Sequence, residues 1–349
     1  MSWSVLENKG GVARSSCYRA QDLLNRSHEV WIYHQKPEKA QVYPAFPPPG
    51  AAELVPLPLN YDTVNLDKAR ELLISADLDV LAAIFSWESL LWFPGLLKGT
   101  GIPLLISERN RPDRINSKWN EYEHNLCLDA ADLVHVLTPE YVDSYPHSLA
   151  ERIRLLPNPA YLADVRVASR ERKERHRLLS AGRFAESAKQ FKLLLRAFAL
   201  LCERFPKWDL VICGDGESLA DYQVLASKLG LDGRVSFPGM VEDMPERYSN
   251  SDIFCIPSRV EGFPMVVLEA HCFALPVVGF AECSGTNEIV VHGENGYLAE
   301  EMTPECLAGY REKLMSDTGL RQRMGERGKE MLDRYAPEKI YDAWEAMLV

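Results

Sequence analysis

The sequence predicts an α/β protein made of two parallel-sheet units, and three observations carry that prediction. Short apolar runs alternate with helix-patterned segments along all 349 residues, the order that builds parallel sheets covered by helices on both faces. Near the middle, Leu156-Pro-Asn-Pro159 and the charged stretch Arg166–Arg177 interrupt the alternation, because prolines so closely spaced stop regular structure. In the second half, glycine- or proline-bearing turns follow successive apolar runs, where post-strand loops should lie. A chain of this length exceeds one ordinary core and fits two domains of roughly 150 to 180 residues. The expected divisions are residues 1–159, residues 160–330, and a terminal segment 331–349 whose helix crosses back to the first domain.

The strands follow from apolar runs bounded by turn residues. In the first half they are His28–Tyr33, Glu53–Leu57, Asp79–Phe85, Pro103–Ser107, Leu133–Leu137 and Arg152–Leu156. In the second they are Leu178–Ala181, Asp209–Cys213, Val235–Phe237, Asp252–Ile256, Pro276–Gly279 and Gly296–Ala299. Helix-patterned segments separate most of them. Ile340, Trp344 and Met347 recur at helical spacing and give the terminal helix one apolar face.

Composition narrows the class. Apolar residues make up 46% and charged residues 26%, as in globular proteins, and no apolar run approaches the roughly 20 residues of a membrane span. Met1-Ser-Trp-Ser-Val-Leu-Glu7 lacks the pattern of a signal peptide, so a cytoplasmic chain is expected. The net charge of -11 argues against nucleic acid as partner, since a phosphate-tracking groove needs a positive field. Eight cysteines lie scattered without a CxxC pair, which points to reduced core thiols and not to disulfides or zinc. No GxGxxG follows a strand, so a dinucleotide-dependent dehydrogenase is disfavoured.

The most informative stretch is Ser258-Arg-Val-Glu-Gly-Phe-Pro-Met-Val-Val-Leu-Glu269. Asp252–Pro257 reads as a buried strand, and Pro264 suits the first turn of the helix after it. Glu261 then sits in the loop at the strand's C-terminal end, and Glu269 lies roughly 7 Å further along the helix at 1.5 Å per residue. Helix N-terminal amides favour a phosphate there, while carboxylates accept from sugar or ribose hydroxyls. Read alone, the two glutamates are more simply a turn residue and a solvated helix position.

Taken in order, several motifs resemble the donor domain of GT-B glycosyltransferases of glycosyltransferase family 4. They are Ala181-Gly-Arg183, Lys189 before a long helix, Gly214-Asp-Gly-Glu217, Pro238-Gly239, Glu261 with Glu269, and Ser284-Gly-Thr-Asn-Glu288. The resemblance implies two Rossmann-like domains facing across a cleft and retaining transfer from a nucleotide-diphosphate sugar. The donor is a co-substrate, with UDP favoured over GDP, and no cofactor or metal is required. Arg183 and Lys189 would grip the diphosphate, Glu269 the ribose hydroxyls, and Glu261 the donor sugar as a positioning group. Gly262, Phe263, Met265 and Val266 would present backbone amides, Gly285 and Thr286 would continue that wall, and Gly182, Gly214, Gly239 and Val241 would border the nucleotide. Ser284-Gly-Thr-Asn287 is similar to a branch using N-acetylhexosamine or galactose donors.

In the first half, Lys9-Gly10-Gly11-Val12 matches the family's glycine-rich loop, although only Trp3-Ser-Val-Leu6 precedes it where a longer strand is expected. Ile106-Ser-Glu-Arg-Asn110 resembles the acceptor segment of enzymes that extend lipid-linked oligosaccharides or polysaccharides, which would make Arg109 and Asn110 acceptor-binding. An Arg–Glu pair holding a loop explains the same residues equally well. Lys98, Arg109, Arg111, Arg114 and Lys118 are either solvated or approach anionic headgroups at the inner face of a membrane. The implied activity is transfer of a hexose or N-acetylhexosamine to a glycan or lipid-linked acceptor. A silent nucleotide-sugar-binding or scaffold protein and a sugar-phosphate synthase of the same fold are the alternatives.

Overall fold

The computed structural model describes residues 11–35, 50, 52–57, 59–60, 63–84, 92–109, 121–160 and 174–348. The chain divides into two compact units, Met1–Asn158 with Glu338–Val349, and Pro159–Pro337. The expected short strand Trp3–Leu6 lies outside the described residues.

In the first unit, β1 (Trp31–Gln35) pairs in parallel with β2 (Glu53–Leu57), and β3 (Leu59–Asn60) forms a short antiparallel pair with β4 (Thr63–Val64). A four-stranded parallel sheet follows, in the order β5 (Leu81–Ile84), β6 (Leu104–Ser107), β7 (Leu133–Val136) and β8 (Ile153–Leu155). Every residue of β6 is buried, as an uninterrupted apolar run requires when both faces of a strand are covered. Leu73, Leu96, Leu128 and Tyr141 from the flanking helices fill the core with Ile106, Val134 and Val136.

The segment expected as one terminal helix is divided. A 3-10 turn, Met331–Tyr335, stays with the second unit, and the helix Pro337–Glu345 belongs to the first. Pro337 explains the break, since proline starts a helix readily and cannot continue one. Ile340 and Trp344 bury against Leu105 and Leu156. Arg26 Nη1 reaches Asp342 at 2.7 Å and Glu345 at 2.8 Å, and His28 Nε2 lies 2.6 Å from Glu345.

The second unit is a six-stranded parallel sheet built from β9 (His176–Ala181), β10 (Trp208–Cys213), β11 (Val235–Ser236), β12 (Ile253–Cys255), β13 (Val277–Phe280) and β14 (Gly296–Ala299). Their spatial order is β11-β10-β9-β12-β13-β14. Strands are added outward in one direction up to β11, and then β12 returns to the other side of β9. That reversal opens a crevice at the C-terminal ends of β9 and β12, the usual ligand position in such sheets. The two strands are fastened by Ser180 Oγ donating to the Cys255 carbonyl at 2.6 Å and Arg177 N donating to Asp252 at 2.8 Å. Strand β9 begins at His176, so Arg177 is a ladder residue and not part of the charged connector.

Helix Phe191–Cys202 covers this sheet through Phe191, Leu194, Leu195, Phe198 and Leu201, the i, i+3, i+4, i+7 stripe of an amphipathic helix. Each side chain so buried contributes about 1.5–3 kcal/mol relative to exposure.

All eight cysteines are free thiols, and six of them are buried. Burial pushes Cys213 and Cys255 up to about 11 and Cys272 and Cys283 up to about 12, which leaves almost no thiolate at neutral pH. The expected result of titrating the native protein with a chromogenic disulfide is fast reaction at Cys202 and Cys306, the two partly exposed thiols. All eight should react in denaturant, and rapid native reaction of six or more would contradict this packing.

Candidate functional site

Two loops meet at the crevice between β9 and β12. The first leaves β9 at Ala181, passes Gly182 and Arg183, and forms the single helical turn Glu186–Lys189. Gln190 ends that turn in the left-handed conformation, φ 49, before the helix Phe191–Cys202 starts. The second loop carries residues 256–264 into the helix Met265–Cys272. Arg259 N donates to the Ala188 carbonyl at 2.8 Å, tying one loop to the other.

Across this junction the Lys189 ammonium sits 2.5 Å from Glu261 Oε1. The side chains retain 23% and 11% of their exposure, so neither ion is in the core and neither is fully hydrated. An ion pair in that intermediate dielectric is stronger than a surface pair. It also leaves the cation able to serve an incoming anion. The Lys189 methylenes run beside Gly182.

Glu269 is not the solvated helix position that a lone glutamate suggests. It is 3% exposed and accepts a hydrogen bond from the Tyr248 hydroxyl at 2.7 Å. Pro264 stands one residue earlier than expected, as the N-cap of a helix that begins at Met265. Met265 is buried, Val266 is half-buried, and the buried Phe263 ring meets Tyr335 edge-on at 5.6 Å.

Gly285 holds a third loop against the Glu261–Gly262 turn. Its φ is +77, and a Cβ there would stand 2.6 Å from the Gly262 carbonyl oxygen. Thr286 then opens the turn Thr286–Ile289, its hydroxyl 3.4 Å from Cys283 Sγ. Beside it the buried Ser284 hydroxyl has no hydrogen-bond partner among the described residues. A fourth group of turns completes the rim: Gly182 N donates to the Cys213 carbonyl, Gly214 N to the Gly239 carbonyl, and Phe184 N to the Asp215 carbonyl, all within 3.0 Å. Val241 is half-buried two residues past Gly239.

The structure therefore gathers Gly182, Lys189, Glu261, Gly262 and Gly285, and links Gly182 to Gly214 and Gly239 by backbone bonds. Arg183 is exposed beside them. Glu269 is built into the same helix but held by Tyr248. In the first unit, Gly11 is the first residue of the helix Gly11–Asn25 and not a loop glycine, while Gly10, Asn110, Arg111, Arg114 and Lys118 lie outside the described residues. Arg109 is buried and donates to Asn158 Oδ1 at 2.9 Å, and Glu108 faces His124 at 3.4 Å, so these neighbours do not form the loop-holding pair considered above. Sequence reading missed Tyr248, Arg19 and Asn158. Only Asn158, between Pro157 and Pro159, carries a local signal.

Chemically, the rim offers a half-buried ammonium, two carboxylates, a hydroxyl unpaired among the described residues, and the N-terminus of the helix Met265–Cys272. Cation and helix terminus suit an anion, and carboxylates suit hydroxyl groups. Among the described residues no helix is long and apolar enough to cross a membrane.

Residues 163–331 match the family model of "Glycosyl transferases group 1". An "Uncharacterized glycosyltransferase" from Haemophilus influenzae is 28% identical over 97% of this chain and 96% of its own length. The lipopolysaccharide core biosynthesis glycosyltransferase LpsE of Rhizobium meliloti is 34% identical over 49% of each chain. Among solved structures, Anabaena HepE in complex with UDP and glucose superposes with a TM-score of 0.79 over 98% of this chain and 96% of that one, at 17% identity. The chain thus has the GT-B fold, and its residues 163–331 resemble the glycosyl transferases group 1.

Proposed function

We propose that this protein is a retaining, metal-independent glycosyltransferase that moves a hexose or N-acetylhexosamine from a UDP-sugar to a glycan or lipid-linked acceptor in polysaccharide or glycoconjugate synthesis. The observation that carries the reading is the Lys189–Glu261 pair, assembled from two loops on either side of the β9–β12 crevice. The match of residues 163–331 to the glycosyl transferases group 1, the lipopolysaccharide assignment of the Rhizobium relative and the UDP and glucose of the Anabaena neighbour support it.

In this reading Lys189 and Arg183 bind the diphosphate, whose charge grows as the glycosidic bond breaks, so their stabilisation is greatest in the transition state. Glu269 accepts from the ribose hydroxyls, and Glu261 orients the sugar while holding Lys189. The acceptor hydroxyl attacks the anomeric carbon on the face that the diphosphate leaves. Its proton passes to the departing phosphate oxygen, and neither glutamate becomes a covalent nucleophile.

Thermal stabilisation by UDP, GDP, ADP and their sugars, without added metal, tests the donor site. Ligand at a hundredfold its dissociation constant adds about 2.7 kcal/mol, and the uridine series should give the largest shift. Glu269→Ala should weaken UDP binding by roughly tenfold or more, the value of hydrogen bonds to a charged acceptor. Unchanged UDP affinity in that variant would sink the ribose assignment. UDP binding without UDP release from any donor would favour a silent binding protein, and strict dependence on a phosphorylated sugar acceptor would favour a synthase.

A further inference from the structure

The first unit contains two buried guanidinium groups that share one neutral acceptor. Arg19, from the helix Gly11–Asn25, is 2% exposed, and Arg109, just past the end of β6, is 5% exposed. Arg19 Nη2 donates to Asn158 Oδ1 at 3.2 Å and Arg109 Nη1 to the same oxygen at 2.9 Å. That oxygen has two lone pairs and is saturated by these bonds. Among the described residues, Nε and Nη1 of Arg19 and Nε and Nη2 of Arg109 have no hydrogen-bond partner, and no carboxylate pairs with either group.

Glu108, the buried carboxylate beside Arg109 in sequence, faces His124 at 3.4 Å. The Arg19 guanidinium lies over the Trp344 ring at 4.7 Å. His135 is completely buried, between Ser107 Oγ at 2.7 Å and the Leu156 carbonyl at 2.7 Å, and burial together with the two arginines holds it well below the ordinary histidine range. Burial lowers Arg19 to about 10 and Arg109 well below the usual arginine value, and for Arg109 the charge of Arg19 adds to the effect. Two desolvated like charges without a counterion among the described residues are costly, because buried charges are normally paired.

Arg109 follows β6 and Asn158 follows β8, at the strand ends where parallel sheets bind ligands. We infer that Arg19, Arg109 and Asn158 form a binding site for a phosphoryl oxyanion in the first unit. Two guanidiniums with unused donors match the charge and several oxygens of a phosphate or diphosphate group. Resting on the proposed transferase activity, the site receives the phosphoryl group of an anionic or lipid-linked acceptor, and it is separate from the donor residues of the second unit.

The test is calorimetric titration of the full chain with inorganic phosphate and inorganic diphosphate, with and without saturating UDP. The expected result is binding that persists in UDP and in Lys189→Met, and that weakens at least about tenfold in Arg19→Met, which removes charge-assisted hydrogen bonds. Asn158→Asp places a carboxylate between the guanidiniums. It should raise the melting temperature without phosphate and abolish the response to it. Absence of phosphate and diphosphate binding to the wild type, or equal binding by Arg19→Met and Asn158→Asp, would overturn the site. Farnesyl diphosphate in detergent should compete with phosphate, and failure to compete would overturn the acceptor assignment and leave a site for the free ion. A failure of UDP to bind would sink the donor reading and leave the phosphate titration readable.

Discussion

Lys189→Met is expected to lower kcat for sugar transfer by about 10²–10³, the usual consequence of removing one preorganised group that stabilises charge developing in the transition state. The Lys189 ammonium is the half-buried cation at the β9–β12 crevice, aimed by the left-handed turn at Gln190 and seated 2.5 Å from Glu261. Its loss also leaves Glu261 without its ammonium partner at 11% side-chain exposure, which by itself destabilises the loop. The double variant Lys189→Met with Glu261→Gln separates the two effects. Its melting temperature should recover toward wild type, whereas kcat should not. A kcat within a few-fold of wild type in Lys189→Met would show that the diphosphate charge is met elsewhere.

Gly214→Ala should severely destabilise the second unit, by roughly 3 kcal/mol or more. Gly214 has φ +141, and a Cβ there would lie 1.9 Å from the Gly182 carbonyl oxygen and 3.1 Å from the Phe184 ring. Both the strained conformation and the collision are backbone problems, so no side-chain rotation relieves them. Separating the Gly182 and Gly214 turns also breaks the rim, and UDP stabilisation should disappear together with the melting temperature. Gly233→Ala is the control. It has φ +72 and nothing within 4 Å of the added carbon, so it should cost only about 1 kcal/mol, the price of a left-handed alanine. Equal urea midpoints for the two variants would refute the close approach at Gly214.

Much of the architecture was legible in the sequence because it rests on local patterns. Pro103–Ser107 and Asp252–Ile256 read as strands from apolar runs, and the strands Leu104–Ser107 and Ile253–Cys255 found there are buried. The short pair β3 and β4 was not anticipated, and among the expected strands the differences lie at the ends: β9 reaches back to His176 because Arg177 N has Asp252 as a partner 75 residues away, and no window around Arg177 contains that information. Glu269 shows the same limit in the site. Its position on a helix followed from spacing, but its burial depends on Tyr248 and could not be read from residues 258–269.

By itself the sequence determined the α/β class, the strand positions and the glycine-bearing turns, since periodicity and backbone permissiveness act over a few neighbouring residues. Only the tertiary structure decided which turns meet. The strand order puts β12 beside β9 and so brings Glu261 to Lys189, and in the first unit it brings Arg19 and Arg109 to Asn158. Charge pairing and burial are sums over groups far apart in the chain, and folding alone sets the distances in those sums.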